Sequence, residues 1–406
     1  MNKWTLLSCG VLTAFIACNQ QNRKERQDHF DLKIANEYIK IHLDDSTYIP
    51  LSNISYFKNK ANNEYIVFTN RQKPELHFYN LETARIYKKI KYNTEGSNSI
   101  VKEIGSFYVK DLDEIYLVSP YTTLLYKSDG KGNIISKFDF SKASNGEPLT
   151  TTMSSMGGID FVDNKFQITQ NINRNYGENM LKKSSMGAII DTVNKNIVLT
   201  PLKYPPLITL EDIGTNAGFG YQYRRIFDGE NFIYSFLYDD ILYKVSPDHK
   251  TVKQIVAKSQ YIPQIKINRL NTTDFNNILR ASCEEATYED IVYDKYRKVY
   301  YRFAFPKTEV DADDNLLEII RSGKKQFSIM VLDKNLNITG EKLFPEFTYV
   351  PAAHFIREDG LYISCSHFKN PDYSLFPEDR VNKKRIKSNL HYILYIFLKL
   401  PIQICV

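Results

Sequence analysis

The sequence predicts an all-β fold, a β-propeller of six blades, and three observations carry that expectation. Apolar residues alternate at period two from about Phe30 to about Ser366, while long helical periodicity is nearly absent. One unit recurs: a strand, a short break, a second strand ending in an apolar or aromatic pair, a polar turn and a third strand. The first step between copies, from Phe78 to Leu125, is about 47 residues, the length of one four-stranded sheet with its turns. Such a sheet cannot bury both faces by itself, so successive sheets must lean on one another around an axis. An irregular β-sandwich, or two smaller β-domains, is the competing architecture.

The chain opens with Lys3, an apolar run from Trp4 to Ala17, and Cys18 followed by a polar stretch. That run is too short to span a bilayer, and small Ala17 stands where a signal peptidase fits its substrate. Residues 1–17 therefore read as a lipoprotein signal peptide, with Cys18 the lipidated residue and residues 18–29 a tethered linker. Ile16, Ala17 and Cys18 fit the lipobox, whereas Phe15 stands where Leu is usual. An ordinary secretory signal or a buried apolar helix is the alternative.

The propeller is expected over residues 30–380. Its copies place Phe78 and Tyr79, Leu125 and Tyr126, Leu242 and Tyr243, and Met330 and Val331 before the turn. A weaker copy spans GGIDFVDNKFQITQN and GAIIDTVNKNIVLTPL, and a sixth begins at AAHFIREDGLYISCS. Asp129-Gly130 and Asp333-Lys334-Asn335 supply turn residues that tolerate left-handed angles. The segment FDLKIANEYIKIHL is positioned to add a strand to the last blade and protect its open edge.

Two segments depart from the pattern. Residues 268–289 have helical spacing with Thr273 or Asp274 as N-cap, and read as a small helical insertion on one rim. Residues 381–406 turn basic and then apolar, the apolar part being interrupted by Lys399 and Pro401. That tail is either the last propeller strand or an aberrant, frameshifted end.

Composition bounds the function. The formal charge of +6 falls to +5 when Lys3 leaves with the signal, and the only dense basic cluster is Lys383, Lys384, Arg385 and Lys387. A nucleic-acid ligand is not expected, because phosphate neutralisation needs local cations on one element. There is no CxxC pair and the seven His are scattered, so no zinc, other metal or cofactor is expected. Cys283 and Cys365 could pair in an oxidising compartment or remain buried thiols. The run DADDN (311–315) has calcium-type spacing, but Leu316 and Ser322 stand where such a loop needs Gly and Glu, leaving an exposed acidic turn. No GxSxG, HExxH, phosphate-loop or dinucleotide motif occurs.

Candidate ligand-binding residues are Tyr221, Tyr223, Arg224, Arg225 and His354. On an inner strand, GFGYQYRR sets Tyr221, Tyr223 and Arg225 on one face and Gln222 with Arg224 on the other. A guanidinium and aromatic faces could grip a carboxylate or an anionic sugar; blade packing is the rival reading. Arg280, Glu284, Glu285 and Tyr288 form a candidate rim group, with Arg280 and Glu284 at ion-pair spacing. No residue is put forward as catalytic.

The lipobox, Lys- and Asn-rich strands, the blade units ILYKVSP and IMVLDKNLNITGE, and the segment EEATYEDIVYDKYRKVYYRFAFP resemble the uncharacterised propeller-like lipoproteins of Bacteroidota. The resemblance covers most of Phe30 to about Pro377. It implies a six-bladed, lipid-anchored propeller and no particular activity. Cys18 is followed by Asn19, Gln20, Gln21 and Asn22 rather than the acidic residues that mark surface export in such bacteria, which implies an outer-membrane anchor facing the periplasm. Asp45-Ser46-Thr47 and Asp191-Thr192-Val193 resemble O-glycosylation acceptors of the same bacteria. The expected function is a membrane-anchored binding module for a glycan, a peptide or an envelope partner. The alternative is an enzyme acting on carbohydrate or a lactone in the axial pocket.

Overall fold

Strands β1 (His29–Leu32) and β2 (Tyr38–Leu43) precede five sheets that run in chain order. The first comprises β3 (Ser55–Lys58), β4 (Glu64–Thr69), β5 (Glu75–Asn80) and β6 (Arg85–Lys91). The second comprises β7 (Ser106–Asp111), β8 (Glu114–Val118), β9 (Leu124–Ser128) and β10 (Ile134–Asp139). The third comprises β11 (Ile159–Val162), β12 (Lys165–Thr169), β13 (Gly187–Asp191) and β14 (Asn196–Leu199), the weaker repeat. The fourth comprises β15 (Tyr223–Phe227), β16 (Phe232–Phe236), β17 (Ile241–Val245) and β18 (Val252–Val256). The fifth comprises β19 (Thr287–Asp294), β20 (Val299–Phe305), β21 (Ser328–Leu332) and β22 (Ile338–Leu343). This computed structural model describes residues 29–367, 369, 393–400 and 402–405, apart from 36, 45, 48–50, 52, 71, 153–156, 171–182, 208–221 and 266–273.

The sixth sheet joins the two ends of the chain. Its order is β23 (Val350–Arg357), β24 (Gly360–Ser364), β25 (Ile393–Leu400), then β2 outermost. Tyr38 pairs with Leu398 and Leu43 with Ile393. The fold is thus a six-bladed β-propeller closed by a strand from each end. Blade six extends past residue 380, because β25 lies within the stretch set apart as a tail. A final strand, β26 (Ile402–Cys405), pairs with β1 as a separate two-stranded sheet.

The repeated pairs work because a blade is covered on both faces. Phe78 and Tyr79 are both fully buried, although neighbours on a strand point to opposite faces. Phe78, with Val67, packs against Ile115 and Leu117 of the second blade. Tyr79, with Ile66 and Phe68, packs against Phe355 and Tyr362 of the sixth. Each such side chain contributes roughly 1.5–3 kcal/mol through burial, so the wheel is held together mainly by contacts between blades.

The turns differ from expectation in detail. In the second blade the left-handed residue is Gly132, at φ 89°, not Gly130. Gly130 is required for close approach instead, since a Cβ there would lie 2.2 Å from the Leu112 carbonyl oxygen. Asp129 and Asp333 fix their loops by accepting from the amides two and four residues on, at 2.8–2.9 Å.

Among the described residues, two helices interrupt the strands. Helix α1 (Phe275–Glu284) lies within the expected insertion, and Asp274 caps it by accepting from the Asn276 amide at 2.9 Å. Helix α2 (Leu316–Ser322) was not expected; Asn315 caps its start and Gly323, at φ 92°, its end. The carboxylates of Asp311, Asp313 and Asp314 gather just before it, with Asp314 paired to Lys369. Cys283 and Cys365 are not joined in a disulfide. Among the described residues no helix is long and apolar enough to cross a membrane.

Candidate functional site

Helix α1 ends at Glu284 and strand β19 begins at Thr287, so the insertion sits at the mouth of an inner strand. Helix α2 packs beside α1 and against β23. Together with β15, β19, β23 and the residues leading into β3 and β11, the helices surround an axial cavity of about 710 Å³. Its walls are mostly apolar, including Phe275, Leu279, Phe303, Phe305, Leu317 and Ile320. Phe275 is 57% exposed and Leu317 43%, a large opening of apolar surface for a helix pair.

A charged cluster breaks this apolar lining. Arg224 of β15 donates from Nε to Asp290 Oδ1 at 2.6 Å and from Nη2 to Glu289 Oε2 at 3.1 Å. Glu289 and Asp290 are consecutive, and both line the cavity because the register of β19 shifts between Tyr288 and Ile291. A bulge there suspends the alternation that would send one of them to the other face. A second irregularity, between Val350 and His354 of β23, accompanies the placing of Pro351, Ala352 and His354 together on the wall.

Lys324 follows the α2 cap and is 9% exposed. Its ammonium donates to the Glu285 carbonyl and to Thr287 Oγ1, both at 2.8 Å. Burial pushes its pKa down to about 8, with Glu289 the carboxylate that most opposes the fall. Burial likewise pushes the Glu289 carboxyl up, against the pull of Arg224 and Lys324. Burial disfavours the Arg224 cation too, but the Asp290 and Glu289 carboxylates outweigh it and its pKa is raised.

The residues expected to bind ligand divide sharply. Arg224 and His354 line the cavity. His354 Nδ1 donates to the Pro351 carbonyl at 2.7 Å, and its ring stacks on Phe303 with centroids 4.9 Å apart. Tyr223 is fully buried and its hydroxyl donates to the Met186 carbonyl at 3.1 Å, so it packs the blade. Arg225 borders the cavity but points its side chain into the blade, where Asp160 accepts at 2.5 Å, the Gln167 carbonyl at 2.9 Å, and the Phe232 ring lies beneath it. Its pairing carboxylate feels burial foremost, and the Asp160 pKa is raised in spite of Arg225. Tyr221 and Cys18 lie outside the described residues.

The expected rim group is structural in its contacts. Arg280 donates to the Val310 and Asp311 carbonyls at 2.8 and 3.2 Å, and Glu284 accepts from the Val310 amide, strapping α1 to the chain before α2. Glu285 caps α1 and offers its carbonyl to Lys324. Tyr288 is not on a rim; it is fully buried, with its hydroxyl donating to Asp240 at 2.6 Å. Sequence reasoning missed Glu289, Asp290 and Lys324. The one available signal was the doublet Glu289-Asp290 inside an apolar strand run.

The family described as a domain of unknown function, DUF4221, matches residues 30–343. The fold is similar to the crystal structure of a member of that family from Bacteroides vulgatus, with TM-score 0.76 and 23% identity over 94% of this chain and 100% of that one. It is also similar to a putative exported protein from Bacteroides fragilis, with TM-score 0.54 and 12% identity over 93% of this chain and 96% of that one. No curated protein matches.

Proposed function

The chain belongs to the DUF4221 family, and on that premise we propose that it is a cell-envelope lipoprotein whose axial cavity is a ligand-binding site. Lipid on Cys18 tethers the propeller to the outer membrane, on its periplasmic side, through the polar stretch from Asn19 to about His29. Two or three acyl chains make such residence effectively permanent, at about 0.8 kcal/mol per buried methylene. The propeller then presents its cavity to a glycan, a peptide or a partner protein of the envelope.

The observation that carries this reading is the cavity itself. It has about 710 Å³ of space, apolar walls, and the charged side chains of Arg224, Glu289, Asp290 and Lys324 converging in one place. That is the size and chemistry of a small-ligand site. The exported relative from Bacteroides fragilis is consistent with an envelope location.

Three measurements test it. Intact-mass analysis of the mature protein is expected to find acylated Cys18 at the amino terminus, and Cys18→Ala to release the chain from the membrane fraction. Glycan and peptide arrays are expected to yield a ligand whose binding falls at least tenfold in Arg224→Gln. Ligands that bind regardless of Arg224 and Lys324 substitution overturn the cavity reading, and turnover of a bound carbohydrate or lactone replaces it with an enzymatic one.

A further inference from the structure

Resting on the reading of the cavity as a ligand site, we propose that it takes an apolar monocarboxylate, whose carboxylate lands on Lys324 in place of the influence of Glu289. A buried ammonium has three donors. Two are committed to the Glu285 carbonyl and Thr287 Oγ1, neither of which carries charge. Lys324 forms no salt bridge among the described residues, although it lines the cavity wall. Glu289 and Glu285 act on the ammonium without an ion-pair contact, and a buried cation with no anion in direct contact is costly, so the site favours a ligand that supplies one.

The charges around Lys324 define what else must happen. Arg224 from β15 already holds Asp290 and Glu289 from β19. Arg321 from α2 is paired with Glu318 at 2.8 Å. Glu285 and Cys283 act on Lys324 from the end of α1, Tyr238 lies near Glu289, and His354 faces in from β23. With Glu289 ionised, the group Arg224, Lys324, Glu289 and Asp290 is neutral, and an incoming carboxylate leaves it one negative charge in excess. Glu289 is already pushed toward its protonated form by burial. Binding therefore proceeds with uptake of one proton: free carboxylate, ionised Glu289 and a proton give bound carboxylate and neutral Glu289. The rest of the ligand lies on Phe275, Leu279, Phe303, Phe305, Leu317 and Ile320, which fixes its apolar character.

The test is titration calorimetry on the chain spanning residues 19–406, which holds every described residue. Octanoate is compared with octanamide and octylammonium between pH 6 and pH 9. Octanoate is expected to bind, with the two analogues at least tenfold weaker, and its affinity to fall with rising pH by up to about tenfold per unit. Lys324→Met is expected to lose octanoate. Glu289→Gln is expected to bind it at least threefold more tightly near pH 6 and to lose it as pH rises through the Lys324 pKa, which moves below its value of about 8 once the Glu289 charge that holds it up is gone. The gain in Glu289→Gln keeps the test decisive if Lys324→Met folds poorly. Octanamide or octylammonium binding as well as octanoate overturns the carboxylate assignment and leaves the cavity a ligand site. Absence of binding by all three overturns the inference, while the arrays above decide the cavity reading separately.

Discussion

The guanidinium of Arg302 lies over the ring of Tyr288, with Cζ 3.5 Å from the ring centroid, and both residues are fully buried. Arg302 belongs to the fifth blade and spends its donors on the fourth. It reaches Ser235 Oγ at 3.1 Å and the carbonyls of Asp239, Asp240 and Ala257 at 2.6, 3.3 and 2.7 Å. Burial lowers its pKa to about 10, which still leaves it charged at neutral pH. Among the described residues no carboxylate forms an ion pair with it; carbonyl oxygens and an aromatic face hold the cation instead.

Arg302→Met preserves much of the bulk but strands those carbonyls without donors. The cost is expected to be roughly 3–5 kcal/mol, as for other broken buried charge networks. In urea unfolding the midpoint should move down with an unchanged slope. A midpoint equal to that of the unsubstituted protein would show that water or neighbouring amides replace the guanidinium.

Gly323 terminates α2 and touches the sixth blade. Its φ of 92° suits glycine, and an added Cβ would lie 2.3 Å from Pro351 Cγ. Gly323→Ala is therefore expected to destabilise the protein by about 1–3 kcal/mol, combining backbone strain and overpacking. Because Lys324 is the next residue, the substitution should also weaken any cavity ligand. Thermal denaturation and binding measured on the same sample check both effects.

Acid sensitivity should appear well above the range where carboxylates titrate. Burial, with Arg225 adding to it, lowers the His249 pKa to about 4, and burial alone does the same to His367. In the unfolded chain both return to about 6.5. Between those values the unfolded state binds more protons, so the stability these two residues supply is full above about pH 6.5, falls as pH drops, and is wholly lost below about 4. Each residue contributes on the order of 3 kcal/mol to that loss. Glu114, held down to about 2 chiefly by the Tyr116 hydroxyl, acts only below about 4.5. His249→Asn, whose side chain tolerates the φ of 59° at that position, should flatten the pH profile while lowering the plateau. A profile with an unchanged slope between pH 6.5 and 4 would count against the assignment.

Truncation after Lys369 removes β25 and β26. It leaves β24 and β2 without the strand that joins them, and β1 without a partner. The expected result is a lower, less cooperative melt and a gain in self-association through exposed strand edges. Circular dichroism and light scattering report the two changes.

The wheel was legible in the sequence because two consecutive buried positions per repeat, such as Phe78-Tyr79 and Met330-Val331, can be satisfied only by a sheet covered on both faces. The cavity was much less so. Alternation separates Arg224 from Arg225, yet which of the two faces the axis depends on how the blade is turned, and the structure gives that place to Arg224. Glu289 and Asp290 act together only because of a bulge, a local break in the periodicity on which strand reading relies. Lys324 was hidden by α2, a seven-residue helix too short to announce itself by spacing.

The pairing of Tyr38 with Leu398 has a temporal side. Contacts between residues so far apart in sequence are slow to form, since a long stretch of chain must be gathered before they yield any free energy. Five blades can assemble as they emerge during synthesis or export, but the sixth must wait for the final strand. Until that moment the N-terminal strand has no hydrogen-bonding neighbour within its own blade, and the nascent ring stays an open arc.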